Sequence, residues 1–200
     1  KFGKIEKEEV NLSKKMRYVQ EYGLAYKKFS FRKLLEEQND KMELIVQKAV
    51  ELGVYAIIPV STKRAVVKLD EKKAKSKIAR WQTISEAAAK QSKRRIVPEI
   101  HGVMSFKEAV NYAKEMPVKL IPYELAEGME KTRELISNLK LGEEIAIFIG
   151  PEGGFEESEI GLAMENGIEP ITLGKRILRT ETAGFTVLSW IMYQLEGMGI

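Results

Sequence analysis

The chain has 200 residues, 44% of them hydrophobic, enough for one α/β core with a small appendage. It contains no cysteine, which excludes disulfides, thiolate nucleophiles and Cys-ligated zinc, and it has no apolar run long enough to suggest a membrane span. The net charge of +4 is unevenly spread: residues 63–95 hold twelve Lys/Arg against three acids, a net of +9, while residues 1–33 carry +6 and residues 96–200 carry −8.

A basic part joined to an acidic part suggests a polyanion partner held by one portion of the molecule, against the alternative of a Lys-rich solvated helix face. The opening residues, KFGKIEKEEV, lack an apolar signal-peptide core, so a cytoplasmic protein is expected.

Residues 1–38 mix aromatic and basic side chains with no clean period. From Met42 the pattern sharpens. Met42, Ile45, Val46, Ala49 and Leu52 recur at helical spacing, and Gly53 follows as a stop. VYAIIPV reads as a buried strand with Pro59 near its end. Residues 71–92 form a second helix with Ile78, Trp81, Ile84 and Ala88 as its apolar stripe, and IVPEI is a short strand. Ser105 and Glu108 make an S-x-x-E capping box that opens the helix FKEAVNYAKEM.

VKLIPY is the next strand, MEKTRELISNL a helix, EIAIFIG a strongly apolar strand, and ESEIGLAMENG a helix closed by Gly167. PITLG is a last short strand. Helices alternating with short apolar strands predict an α/β fold: a mostly parallel sheet with helices on both faces. The final helix, about residues 181–196, is apolar well beyond one stripe, and either a dimer interface or a central core position would bury the excess.

Two stretches carry the chemistry. GPEGG follows the EIAIFI strand but matches neither glycine spacing that approaches a phosphate. Glu152 lies within it and Glu156, Glu157 and Glu159 follow at a helix start. These carboxylates suit the helix dipole, yet each would repel a phosphate by roughly 1 kcal/mol or more at short range. An uncharged nucleoside with a positive reactive atom suits the loop better, and S-adenosylmethionine answers that description. A purely structural turn is the other reading. In LGKRILRTETAGF, Thr180 is placed as the N-cap of the last helix, and Arg176 and Arg179 stand at a strand's C-terminal edge, where open α/β sheets keep their ligands.

Taken together, IGPEGGFEESE and LGKRILRTETA resemble the signature pair of the ribosomal RNA uridine-N3 methyltransferases, the RsmE family of the SPOUT, or trefoil-knot, superfamily. DKMELIVQKAVELGVYAIIPVSTKRAVVK and RWQTISEAAAKQSKRRIVPEI resemble that family too, in order and spacing, so the likeness runs from about Asp40 to Glu196. It implies a SPOUT domain over residues 39–200 with a C-terminal trefoil knot. It also implies a homodimer built partly on the last helix, and a PUA-like RNA-binding β-barrel, partial or reduced, in residues 1–38. STKR departs from the family's Ser-Glu-Arg run, so Arg64 carries over and Lys63 does not.

The implied activity is S-adenosylmethionine-dependent methylation of N3 of a uridine in small-subunit (16S) rRNA. The alternative is a knotted RNA-binding protein without activity, or one acting on another RNA such as tRNA. The resemblance implies three loops at the cofactor: Leu120, Ile121, Pro122 and Tyr123; Ile149, Gly150, Pro151, Glu152 and Gly153; and Leu173, Gly174, Ile177 and Leu178. Arg179 is expected to stabilise the uracil anion, with Glu181 or Glu152 taking the proton. Arg64, Gln91, Lys93, Arg94, Arg95 and Arg176 are expected to hold RNA. The single histidine, His101, is read as structural, and no metal site is expected.

Overall fold

The structure, a computed structural model, describes residues 30–31, 39–61, 71–126 and 128–196. The barrel expected in residues 1–38 lies, but for Ser30 and Phe31, outside the described residues. So does Arg64.

Four strands form an all-parallel sheet in the order β1 (Ser30–Phe31), β7 (Ile145–Ile149), β6 (Val118–Pro122), β8 (Glu169–Ile171). Ser30 and Phe31, which the sequence places in the N-terminal segment, pair with Phe148 and Ile149 at the sheet's edge. All five residues of β7 are buried, and they alternate. Ile145, Ile147 and Ile149 pack on one side with helices α1 (Asn39–Glu51), α2 (Glu71–Gln91) and α6 (Thr180–Glu196). Ala146 and Phe148 pack on the other with α3 (Phe106–Tyr112) and α5 (Glu157–Glu165). Helix α4 (Met129–Ser137) adds its half-buried Leu135 and Ile136 to the first layer. The sheet is therefore covered on both faces, as an apolar run such as EIAIFI demands of a central parallel strand.

The VYAIIPV run is two short strands, not one. In β2 (Ala56–Ile57) the chain pairs with β4 (Glu99–Ile100), and in β3 (Val60–Ser61) with β5 (Met104–Ser105), which the sequence did not reveal. Pro59 separates them because it has no N–H to donate, although its carbonyl still accepts from Met104 at 3.0 Å. Helix α3 opens on the expected capping box. The Glu108 carboxylate accepts from the Ser105 N–H and hydroxyl, both at 2.7 Å, and the Ser105 hydroxyl accepts from the Glu108 N–H at 3.2 Å. These bonds hold the Glu108 carboxyl below its ordinary range. The folded form is therefore favoured while Glu108 is ionised, and that contribution is lost as pH falls through the lowered value. Ser105→Ala should cost about 1 kcal/mol, read by chemical unfolding at neutral pH, and the gap from wild type should narrow in acid.

Helices α1 and α2 end alike. At α1, Val54 N–H reaches the Ala49 carbonyl and Gly53 N–H the Val50 carbonyl, with Gly53 at φ +91°. At α2, Arg94 N–H reaches Ala89 and Lys93 N–H reaches Lys90, with Lys93 at φ +59°. Both are Schellman ends, but α2 puts a lysine where a left-handed residue is needed. Lys93→Gly should raise stability by up to about 1 kcal/mol, measurable as a shift in the urea midpoint. A lower midpoint would mean that the lysine side chain holds the turn.

Candidate active site

Three loops leave the C-terminal ends of the neighbouring strands β6, β7 and β8, and they meet in one cleft. The chain reaches β8 from β7 by passing to the far side of β6, so this edge is a topological switch point, where parallel sheets keep their ligands. The lining runs through Pro122–Glu124, Ile149–Glu152 with Gly154 and Phe155, and Thr172–Leu178, closed by Thr180 and Ala183 of α6. About 900 Å³ of empty space lies within it, open solvent included.

Each loop is tied to the core. Tyr123 N–H donates to the Ile171 carbonyl at 3.0 Å, joining the first loop to β8. The buried Thr132 hydroxyl of α4 accepts from Thr172 N–H at 3.1 Å and donates to the Thr172 carbonyl at 3.3 Å. The GPEGG loop turns through a Gly154 N–H bond to the Pro151 carbonyl at 3.0 Å. Gly150 sits in close approach: a Cβ there would meet the Phe155 ring at 3.0 Å, and the ring would have to give by a few tenths of an ångström. Phe155 is itself buried against Phe106, their ring centres 5.5 Å apart, so the loop is pinned from the α3 side.

The charges in the cleft are mixed. Glu124 and Glu152 line it from two loops, and Lys175 and Arg176 from the third. Glu152 is gripped by Lys41 of α1, Nζ to Oε1 at 2.5 Å. The acids after GPEGG do not line the cleft. Glu159 is buried, and its carboxylate accepts from the Glu156 N–H at 3.0 Å, capping α5. A carboxylate used this way satisfies an orphan helix donor and favours the dipole. The cleft thus offers acids at one part of its lining and cations at another, an arrangement for a ligand carrying both signs.

The RNA methyltransferase domain family matches residues 35–192. This chain belongs to that family. The chain is 41% identical over 162 residues to the ribosomal RNA small subunit methyltransferase E of Bacillus subtilis, covering 80% of this chain and 63% of that protein. It is likewise 41% identical over 147 residues to the protein of that name from Mesomycoplasma hyopneumoniae, covering 74% and 62%. Among solved structures, the ribosomal RNA small subunit methyltransferase E of Neisseria gonorrhoeae, bound to S-adenosyl methionine, is similar with a TM-score of 0.69 at 33% identity. That likeness covers 84% of this chain and 66% of the other. A putative methyltransferase of Legionella pneumophila, in complex with SAM, gives 0.71 at 33% identity over 82% and 64%. The chain spans a little under two thirds of the length of these curated relatives.

Most residues that the sequence assigned to the cofactor line the methyltransferase-family cleft: Pro122, Tyr123, Ile149, Gly150, Pro151, Glu152, Leu173, Gly174, Ile177 and Leu178. Leu120 and Ile121 do not. They are fully buried in β6, facing opposite layers of the core. Gly153 is exposed and outside the lining, with Gly154 in its place. Sequence reasoning missed Glu124, Phe155, Thr172, Lys175 and Ala183. Thr172 follows the last strand directly, and its polar side chain among apolar neighbours was the available signal.

Thr180 is not the N-cap of α6. The Ala183 N–H bonds to the Arg179 carbonyl at 2.8 Å, so Arg179 holds the cap position and Thr180 is the first helical residue. Arg179 is exposed and Glu181 half-buried, and neither lines the cleft. Of the residues assigned to RNA, Arg176 lies in the lining, while Gln91, Lys93 and Arg95 are exposed at the end of α2. Arg94 differs. Its Nη1 donates to the carbonyls of Val50 at 2.9 Å and Val54 at 2.6 Å, and Nη2 to Gly53 at 3.2 Å. Its guanidinium covers the C-terminal end of α1, so the expected phosphate contact is replaced by a structural one. His101 packs edge-on against Tyr112 and lies 3.6 Å from a Glu99 oxygen. Among the described residues no three metal-ligating side chains converge, and no helix is long and apolar enough to cross a membrane.

Proposed function

We propose that this chain transfers a methyl group from S-adenosylmethionine to N3 of a uridine in small-subunit (16S) rRNA. The observation that carries this reading is the cleft at the switch point, assembled from the GPEGG and LGKRIL loops. The mixed lining fits a donor that carries an ammonium, a sulfonium and a carboxylate, whereas a triphosphate would meet Glu124 and Glu152. Backbone groups of the three loops would hold the adenosine, with Ile149, Leu173 and Leu178 against its apolar faces. When bound, S-adenosylmethionine supplies an electrophilic methyl group.

Arg179, exposed beside the cleft at the cap of α6, is assigned to the two uracil carbonyl oxygens that share the charge when N3 loses its proton. Glu181 is assigned as the base, because the Glu152 carboxylate is held by Lys41. Gln91, Lys93 and Arg95 hold RNA phosphates, with Arg64 and Arg176 contributing. Helix α1 spans the distance between the two regions. Lys41 touches Glu152 near its start and Arg94 grips its end, about 15 Å away at 1.5 Å per residue.

The same reading assigns a trefoil knot to the C-terminal segment. A second copy would cover α6, where Tyr193 is 83% exposed, and the rim residue Ile177, which is 88% exposed. The PUA-like segment at the N terminus would add RNA contacts. Calorimetry with S-adenosylmethionine and nucleoside mass spectrometry of rRNA from a deletion strain test the proposal together. Binding, with loss of 3-methyluridine from small-subunit rRNA, is the expected result. No heat at millimolar donor would favour an inactive RNA-binding protein, and unchanged 3-methyluridine would move the target to another RNA.

A further inference from the structure

Thr180 poses a problem that neither the fold nor the proposed reaction resolves. It lines the cleft, it is 8% exposed, and among the described residues its buried hydroxyl oxygen has no hydrogen-bond partner. Such a group destabilises the fold relative to a satisfied one. Valine would fill the same space without that cost, so packing alone does not account for the hydroxyl. Thr180 is also the first residue of α6, a helix of 17 residues. The first bond of α6 runs from Ala183, so the N–H groups of Thr180, Glu181 and Thr182 have no partner within the helix. An open N-terminal turn favours an anion through its free donors and its dipole. Lys175 and Arg176 line the cleft alongside it, the turn's own acid Glu181 lies outside the lining, and the acids Glu124 and Glu152 belong to the other two loops.

Resting on the methyl-donor reading above, we propose that Thr180 and the first turn of α6 form the subsite for the donor's carboxylate, orienting the amino-acid arm of S-adenosylmethionine. Threonine in a helix populates two χ1 rotamers, so a single side-chain rotation carries the enclosed hydroxyl into the cleft. The carboxylate then accepts from that hydroxyl and from the helix amides. The donor's ammonium is left for the acidic loops, and the arm is fixed in one orientation. Thr180 acts here as a binding and positioning residue, with no part in proton transfer.

The test compares two ligands on the full chain by calorimetry: S-adenosylmethionine and its decarboxylated form, which keeps the sulfonium and the ammonium. Thr180→Val should weaken binding of S-adenosylmethionine by about tenfold or more and leave binding of the decarboxylated form within about twofold. Thr180→Ser should restore tight binding. The melting temperature of unliganded Thr180→Val should equal or exceed that of wild type, since an unpaired buried hydroxyl has been replaced by a methyl. Thr180→Ala serves as a second hydroxyl-free variant if valine folds poorly. Equal weakening of both ligands would overturn the carboxylate assignment and place the hydroxyl elsewhere on the donor. Unchanged binding of both would overturn any ligand role for Thr180. If wild type binds neither ligand, the methyl-donor reading itself fails, and the subsite with it.

Discussion

Arg179→Ala is expected to lower turnover by about 10²–10³-fold while the dissociation constant for S-adenosylmethionine stays within about twofold. The asymmetry follows from where the arginine stands. It sits at the cap of α6, exposed and outside the lining of the cleft, so a donor bound in the cleft does not depend on it. Among the described residues its guanidinium has no ion-pair partner, so its full charge is available to a second substrate. In the proposed reaction, the group that needs this charge is the uracil anion, whose oxygens gain negative charge only as the N3 proton leaves. A cation already in place stabilises that developing charge without reorganising. Arg179→Lys should recover part of the rate, because an ammonium supplies charge but not the rigid planar donor set of a guanidinium. Single-turnover kinetics with calorimetry on the same variants checks both halves. Parallel losses in rate and donor affinity would assign Arg179 to the cofactor or to the fold.

Arg94→Ala is expected to cost about 3 kcal/mol of stability, lowering the melting temperature by roughly 6–12 °C for a chain of this size. The guanidinium makes three bonds to carbonyls of Val50, Gly53 and Val54 at the end of α1, and of these Val50 also accepts from the Gly53 N–H. Removing it leaves half-buried carbonyls at the seam between α1 and α2, whose apolar stripes share one core. The neighbouring charges should behave in the opposite way. Lys93→Glu with Arg95→Glu should leave the melting temperature close to wild type but weaken RNA binding and flatten its dependence on salt. Thermal unfolding beside a salt titration of RNA binding separates the two. If Arg94→Ala melts like wild type, its bonds to α1 contribute little and the residue returns to the RNA-binding group.

These two arginines mark the limit of what sequence reading reached. In KQSKRR every cation looks alike, because spacing along a chain says nothing about which guanidinium meets a helix end forty residues away. The same limit applies to the last motif. LGKRILRTETA announces a turn into a helix, but Thr180 satisfies the N-cap rule on paper while the helix starts one residue earlier and leaves its hydroxyl without a partner among the described residues. Leu120 and Ile121 illustrate the converse. They belong to the right strand and are buried in its core, because only its last residue, Pro122, and the loop beyond it reach the cleft.

Local chemistry determined what lies close along the chain: helix periods with their Gly53 and Gly167 stops, the Ser105–Glu108 box, the apolar β7 strand, and the glycine loops that carry the family likeness. Each rests on interactions between residues a few positions apart, which sequence encodes directly. The tertiary structure decided the rest: the split of VYAIIPV into two ladders at Pro59, the jump of β8 across β6 that brings three loops into one cleft, and the grips of Lys41 on Glu152 and Arg94 on α1. Those depend on which distant groups the folded sheet places within hydrogen-bonding reach. No periodicity or spacing carries that information.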